Sequence, residues 1–260
     1  MRYERRKDIV EKIQKTKTLK VQDLMKEYNV SIETIREDLE FLQEKGYLQR
    51  VYGGAIIREH YSTMETEYKQ RELLNAREKN SIGKMASSLI NDGDSVFIDY
   101  GTTTIEAVKN LVGKKNLTLI TNSLPVAQEL AQLSGNSSGW KIILLGGILQ
   151  ENELTVHGDF CTSNLKKFNV AKALMGVGGI DIKAGLTEYL IEEASLQRLV
   201  IEHADTVIAL ADNSKFGLIT LNHICPAEEL DILITDWLTP EDVLEEYRSL
   251  GITVYSVSPP

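Results

Sequence analysis

Residues 31–55, SIETIREDLEFLQEKGYLQRVYGGA, decide the fold of the N-terminal part of this chain. Ser31 suits an N-cap, because its hydroxyl accepts a hydrogen bond from an orphan backbone N–H of a first helical turn. Ile35, Leu39 and Leu42 follow at the spacing that lines one helical face. Gly46 ends the helix, since glycine tolerates the left-handed conformation of a C-terminal cap. Tyr47 to Val51 reads as a short strand, Gly53 and Gly54 as a turn, and Ala55 to Ile57 as the returning strand. Helix, glycine and hairpin together outline a winged helix-turn-helix, with the helix set for the major groove and the hairpin beside it on the DNA backbone.

The residues before this stretch agree. Arg5 to Lys15 predicts a helix with Ile9, Val10 and Ile13 inward. Val21 to Tyr28 predicts a second with Val21, Leu24 and Met25 inward, closed by Asn29. Residues near the start of the third helix reach bases, so Glu33, Thr34, Arg36 and Glu37 are the candidate readers. Glu40 and Glu44 read as a solvated face beyond the groove. Arg5, Arg6, Arg50 and Tyr52 are expected to touch the DNA backbone. Ser31, Gly53 and Gly54 complete the expected DNA-binding set.

Charge is distributed unevenly. The chain has 260 residues and a net charge of −9. Residues 1–58 nevertheless carry 13 Lys and Arg against 10 Asp and Glu, leaving the excess acid to the remainder. A basic reader on an acidic body fits a nucleic-acid module joined to something else. No apolar run suffices to span a bilayer, and the charged start lacks the apolar core of a signal peptide. Cys161 and Cys225 lack metal-ligand spacing and read as reduced thiols. A cytoplasmic protein with no metal, no cofactor and no membrane partner is expected.

Three segments follow: 1–58 as the DNA-binding domain, 59–80 as a linker with a helix near Glu67 to Arg77, and 81–260 as an α/β domain. In the last, Ser95–Asp99, Leu117–Thr121, Lys141–Leu145, Ala173–Val177, Thr206–Leu210, Ile232–Thr235 and Thr253–Val257 read as apolar strands. Helices are predicted over Ile82–Ile90, Thr103–Leu111, Pro125–Leu133, Phe160–Phe168, Tyr189–Ala204 and Pro240–Leu250. Such alternation implies a mainly parallel sheet with helices on both faces. Ligands in these sheets gather at the carboxyl ends of the strands.

The loops at those ends are polar and glycine-rich. They are Asp99-Tyr100-Gly101-Thr102-Thr103-Thr104, then Thr121-Asn122-Ser123, then Gly146-Gly147, then Gly178-Gly179-Ile180-Asp181, and last the stretch holding Lys215. Glycine lets the backbone approach an anion, and threonine hydroxyls, amides and Lys215 suit phosphate. Asp99 and Asp181 suit sugar hydroxyls. Each loop alone is accounted for by a tight turn with an N-cap; together they predict one pocket.

The phrase VSIETIREDL, followed by KGYLQRVYGGA, resembles the N-terminal signature of the DeoR family of bacterial transcription regulators. Val30, Ser31, Thr34, Ile35, Arg36, Asp38, Leu39, Gly46, Arg50, Gly53, Gly54 and Ala55 match; Glu37 stands where arginine is usual. Asp99 to Thr103, Thr121-Asn122, Gly146-Gly147, Gly176 to Asp181, Gly185, Glu193-Ala194 and Asp212 to Phe216 are similar to the family's sensor domain. Tyr100 departs, standing where the family often has a small residue. The resemblance implies a fold like that of ribose-5-phosphate isomerase, double-stranded operator DNA as partner, and a phosphorylated sugar as effector. It implies a repressor of sugar or carbohydrate metabolism genes. The competing readings are a sugar-phosphate isomerase or deaminase carrying a helix-turn-helix, and a protein-binding module without a small ligand. One recognition module covers limited surface, so a homo-oligomer reading repeated half-sites is expected.

Overall fold

The computed structural model describes residues 2–16, 18–44, 48–57, 61–62, 68–135 and 139–259. Contacts divide the chain into two compact units, 1–60 and 61–260.

The first unit runs α1 (Arg2–Thr16), β1 (Thr18–Lys20), α2 (Val21–Tyr28), α3 (Ile32–Glu44), β2 (Leu48–Val51) and β3 (Gly54–Ile57). Ile9, Ile13, Val21, Leu24, Ile35, Leu39 and Leu42 meet in one core with Leu48 and Ala55. Asn29 closes α2 at φ 49°, a conformation in which asparagine is the usual non-glycine residue. Ser31 accepts the Thr34 amide at 3.3 Å, which starts α3. The expected cap at Gly46 and strand start at Tyr47 lie outside the described residues. β1, which sequence patterning did not reveal, pairs antiparallel with β3, giving the order β1-β3-β2. Gly54 is required there, because a Cβ would lie 2.0 Å from the Leu19 carbonyl oxygen.

The second unit begins with β4 (Tyr61–Ser62), α4 (Tyr68–Leu73), α5 (Ala76–Ser88) and β5 (Ser95–Ile98). It continues with α6 (Thr104–Lys109), β6 (Thr118–Thr121), α7 (Leu124–Ser134), β7 (Lys141–Leu144), β8 (Ile148–Gln150), β9 (Thr155–His157), α8 (Asp159–Leu165) and β10 (Lys172–Gly176). After these come β11 (Gly179–Asp181), β12 (Gly185–Glu188), α9 (Ile191–Glu202), β13 (Val207–Leu210), β14 (Ile219–Thr220) and β15 (Asn222–Cys225). The last elements are β16 (Ile232–Asp236), α10 (Glu241–Ser249) and β17 (Thr253–Val257). The seven expected strands form one parallel sheet, ordered β17-β16-β13-β10-β5-β6-β7.

Alternation along the strands separates two apolar layers. Val96 and Ile98 pack with α5, α6 and α7, whereas Phe97 packs with the layer that includes α8, α9 and α10. Two predicted helices differ in extent. Glu67–Arg77 and Ile82–Ile90 are replaced by α4 and α5, separated at Asn75, whose φ of 53° breaks the helical path. Tyr68 and Lys79, inside the stretch read as linker and helix, are buried in this unit.

The chain leaves β5 toward β6 and β7, then crosses back to place β10 on the other side of β5. That reversal opens the sheet's switch point at the carboxyl ends of β5 and β10.

Candidate functional site

The exposed face of α3 presents Glu33, Arg36 and Glu37, with Thr34 partly exposed. Tyr52, at the tip of the β2–β3 hairpin, is fully exposed. Gly53 makes that tip possible at φ 80°. Arg50 lies on β2, its guanidinium 3.5 Å from Glu40. Arg5 and Arg6, expected at the DNA backbone, are also engaged inside the unit. Their Nε groups bind the two oxygens of Asp38 at 2.6 and 2.7 Å, and Asp38 is fully buried. Arg6 also stacks 3.8 Å from the Phe41 ring centroid. Both arginines therefore fasten α1 to α3.

In the second unit, Gly101 adopts φ 138°, and Thr104 donates its hydroxyl to the Gly101 carbonyl at 3.0 Å. Thr102 and Thr103 are buried beside it, and Thr103 makes no side-chain cap. α6 spans only six residues, so its dipole adds little. Tyr100 is 3% exposed, its ring packed inward rather than at the mouth of the loop.

Asp99 and Asn122 follow β5 and β6, whose register continues to set them side by side. Gln197 on α9 donates to Asp99 Oδ2 at 2.7 Å, and the Gly176 amide donates to the same oxygen at 3.2 Å. Asn122 donates to Glu193 on α9 at 3.1 Å, and Thr155 donates to the other oxygen of Glu193. Burial, helped by Glu193 and Glu188, pushes the Asp99 carboxyl well above the usual carboxylate range. Thr121 and Ser123 are spent locally: Thr121 accepts the Ser123 amide, and Ser123 caps α7 through Val126.

The other expected residues have backbone tasks. A Cβ on Gly147 would lie 2.3 Å from the His157 carbonyl oxygen, so that glycine lets the β8–β9 hairpin close, while Gly146 has open space. Gly178 and Gly179 run against Thr187 and Leu218 at 2.9 and 2.1 Å by the same measure. Asp181 Oδ1 accepts the Lys183 and Ala184 amides at 2.9 Å each, making the β11–β12 turn.

Lys215 donates to the Gly178 carbonyl at 3.4 Å. Its neighbour Lys79, which the sequence places in the connecting segment and outside the effector set, is 5% exposed and binds the Arg71 carbonyl at 2.5 Å. Burial, opposed by Asp212 and reinforced by Lys215 and Arg71, pushes Lys79 down to about 8. Asp212 accepts Asn75 at 3.0 Å and caps the turn holding Lys215. Arg71 is ion-paired with Glu153 of the β8–β9 hairpin. Lys79, Lys215 and Arg71 are near enough to act on one another electrostatically, and such a gathering of cations suits an anion. Among the described residues no group of metal-ligating side chains is assembled. No helix among them is long and apolar enough to cross a membrane.

Residues 5–60 match the DeoR-like helix-turn-helix domain, and residues 74–237 match the DeoR C terminal sensor domain. The chain belongs to the DeoR family. DeoR-family relatives include the HTH-type transcriptional regulator GolR of Listeria innocua, 30% identical over 97% of this chain and 97% of its own. The HTH-type transcriptional repressor GlcR of Bacillus subtilis is 37% identical over 80% of this chain and 78% of its own. The glycerol-3-phosphate regulon repressor of Escherichia coli is 28% identical, covering 93% and 94%. All three are named as transcriptional regulators. Among solved structures, ribose 5-phosphate isomerase A of Methanocaldococcus jannaschii aligns over 53% of each chain, at TM-score 0.38 and 16% identity. As a DeoR-family member the protein is a DNA-binding transcriptional regulator.

Proposed function

We propose that this protein represses sugar or carbohydrate metabolism genes and releases its operator when a phosphorylated sugar occupies the switch-point cleft. What supports this reading is the proximity of Lys79 to Lys215, whose charge helps to lower the Lys79 ammonium's pKa, together with the buried polar side chains of Asp99 and Asn122 at the carboxyl ends of β5 and β6. Phosphate meets the cations and donors; the hydroxyls meet Asp99 and Asn122. Gly146, Gly147 and Asp181, with their backbone tasks, frame the cleft without reading the ligand. Arg36, Glu37, Glu33 and Thr34 read the operator, while Arg50 and Tyr52 contact its backbone. Residues 1–58 read DNA, residues 81–260 sense the effector, and 59–80 join them. At least two copies bind repeated half-sites, since pairing readers raises affinity through effective concentration.

The test is a titration of operator complex with sugar phosphates, wild type beside Lys215→Ala. Loss of a hydrogen bond to a charged group costs about 1.5–3 kcal/mol, so the midpoint should move roughly ten- to a hundredfold. An unchanged midpoint removes Lys215 from the cleft, and turnover of a sugar phosphate by the wild type would favour the isomerase or deaminase reading instead.

A further inference from the structure

Two residues at the ends of neighbouring strands bind two residues one turn apart on a single helix. Asp99 after β5 is bound by Gln197, and Asn122 after β6 binds Glu193. Positions 193 and 197 share one face of α9, because residues four apart stand above one another on a helix. The four side chains are at most 1% exposed. Together they make a buried ring of four polar side chains, held as two hydrogen-bonded pairs and anchored further by Gly176, Val156 and Thr155.

Three atoms of this ring have no hydrogen-bond partner: Asp99 Oδ1, Gln197 Oε1 and Asn122 Oδ1. Buried polar atoms are nearly always paired, and each orphan costs free energy unless something absent from the protein's own atoms meets it. The ring also adjoins the threonine loop. A Cβ on Gly176 would meet Tyr100 O at 2.8 Å, Asp99 Oδ2 at 3.8 Å and Thr104 Cγ2 at 3.9 Å.

We propose that this ring is a subsite for one hydroxyl oxygen, supplied by the carbon chain of the phosphorylated effector, and that Gln197 is the residue that selects which stereoisomer fits. The inference rests on the effector reading above. The hydrogen-bond directions are complementary. Asp99 Oδ2 accepts from two donors, which leaves Oδ1 for the ligand hydroxyl, and burial favours the protonated carboxyl that donates from it. The hydroxyl's own proton goes to Gln197 Oε1 or Asn122 Oδ1. An internal water would satisfy the same atoms, and the ligand series separates the two sources.

The experiment is calorimetric titration of the full chain with inorganic phosphate, with epimeric hexose 6-phosphates, and with their deoxy analogues. On the wild type, removal of one particular hydroxyl should weaken binding about tenfold, the effect of a buried hydrogen bond. Gln197→Met keeps the volume and deletes both polar atoms. It should bind the preferred sugar phosphate no better than the wild type binds the matching deoxy analogue. Asp99→Asn presents an amide donor where the carboxyl proton was, so it should retain the stereochemical preference that Asp99→Ala loses. If every deoxy analogue binds the wild type within about twofold of its parent, the ring holds an internal water and the proposal falls. This ligand-side measurement does not depend on any variant folding. Binding of inorganic phosphate without preference among sugars overturns the subsite alone; failure of every phosphorylated compound to bind overturns the effector reading as well.

Discussion

Arg5 on α1 places its Nε 2.6 Å from Oδ2 of Asp38 on α3, and the carboxylate that receives it is wholly shut off from solvent. Arg6 closes on the other oxygen at 2.7 Å. Removing one member of a buried ion pair strands a charge, at a cost of about 3–5 kcal/mol. Asp38→Ala should therefore lower the stability of the first unit by that order, read as a lower urea midpoint. Operator binding should fall in step with the folded fraction.

Arg36 and Arg50 should separate from Asp38 in that experiment. Both are exposed or half-exposed, so their alanine variants should fold normally. Arg36→Ala should lose about 1–3 kcal/mol at one base pair, if its contact is bidentate, and relax selectivity there. Arg50→Ala should weaken binding to all sequences alike and flatten the salt dependence. Unchanged affinity and selectivity in Arg36→Ala would mean that α3 does not present this residue to the groove.

Effector binding should depend on pH through Lys79. Its folded value is pushed down to about 8, so above that pH the free protein increasingly lacks the ammonium. A bound phosphate dianion favours the charged form, so binding takes up a proton there. Affinity should be greatest near pH about 7, where the phosphate is a dianion and Lys79 is charged, and fall as pH rises above about 8, approaching tenfold per unit. Lys79→Gln should bind more weakly at neutral pH and show no such fall. Titrations in buffers of different ionisation enthalpy would measure the proton directly.

Arg71 ties α4 to the β8–β9 hairpin through Glu153, while its carbonyl receives Lys79. α4 is thereby joined to the cleft on one side and, along the chain, to the DNA-reading unit on the other. Arg71→Gln should leave effector affinity within about threefold of wild type yet shift the effector concentration that releases operator by about tenfold. Parallel shifts in both measurements would reduce Arg71 to an ordinary part of the binding site.

The parallel sheet was legible because its strands are continuous apolar runs between helices, the pattern of strands buried on both faces. The first unit was legible because Ile35, Leu39 and Leu42 keep helical spacing above a glycine-rich turn. Short elements were not legible. β1 is three residues long, and its pairing follows from tertiary contact with Gly54, which no local pattern announces. The break at Asn75 was missed because its neighbours favour helix on both sides. The threonine and glycine loops suggest an anion site from sequence alone. Lys79 read only as part of a connector and Gln197 did not stand out, since a lysine in a charged run and a glutamine on a helix ordinarily face water. Burial alone distinguishes them. Arg5 and Arg6 hold a task the sequence did not show: basic residues near a helix-turn-helix suggest phosphate, and nothing local announces that Asp38 engages their Nε groups.

The crossing between β5 and β10 governs when the molecule becomes controllable. Phe97 gains one flanking partner, Ile120, from nearby in the chain, but its other, Ala173, arrives much later in synthesis. The half-sheet β5-β6-β7 can form early; the cleft cannot exist until the distant strand docks, and such non-local pairing is slow. Because domains emerge from synthesis N-terminal first, the DNA-reading unit is complete while the sheet is still open. On the effector control proposed above, a nascent or truncated chain carries a reader with nothing to switch it off.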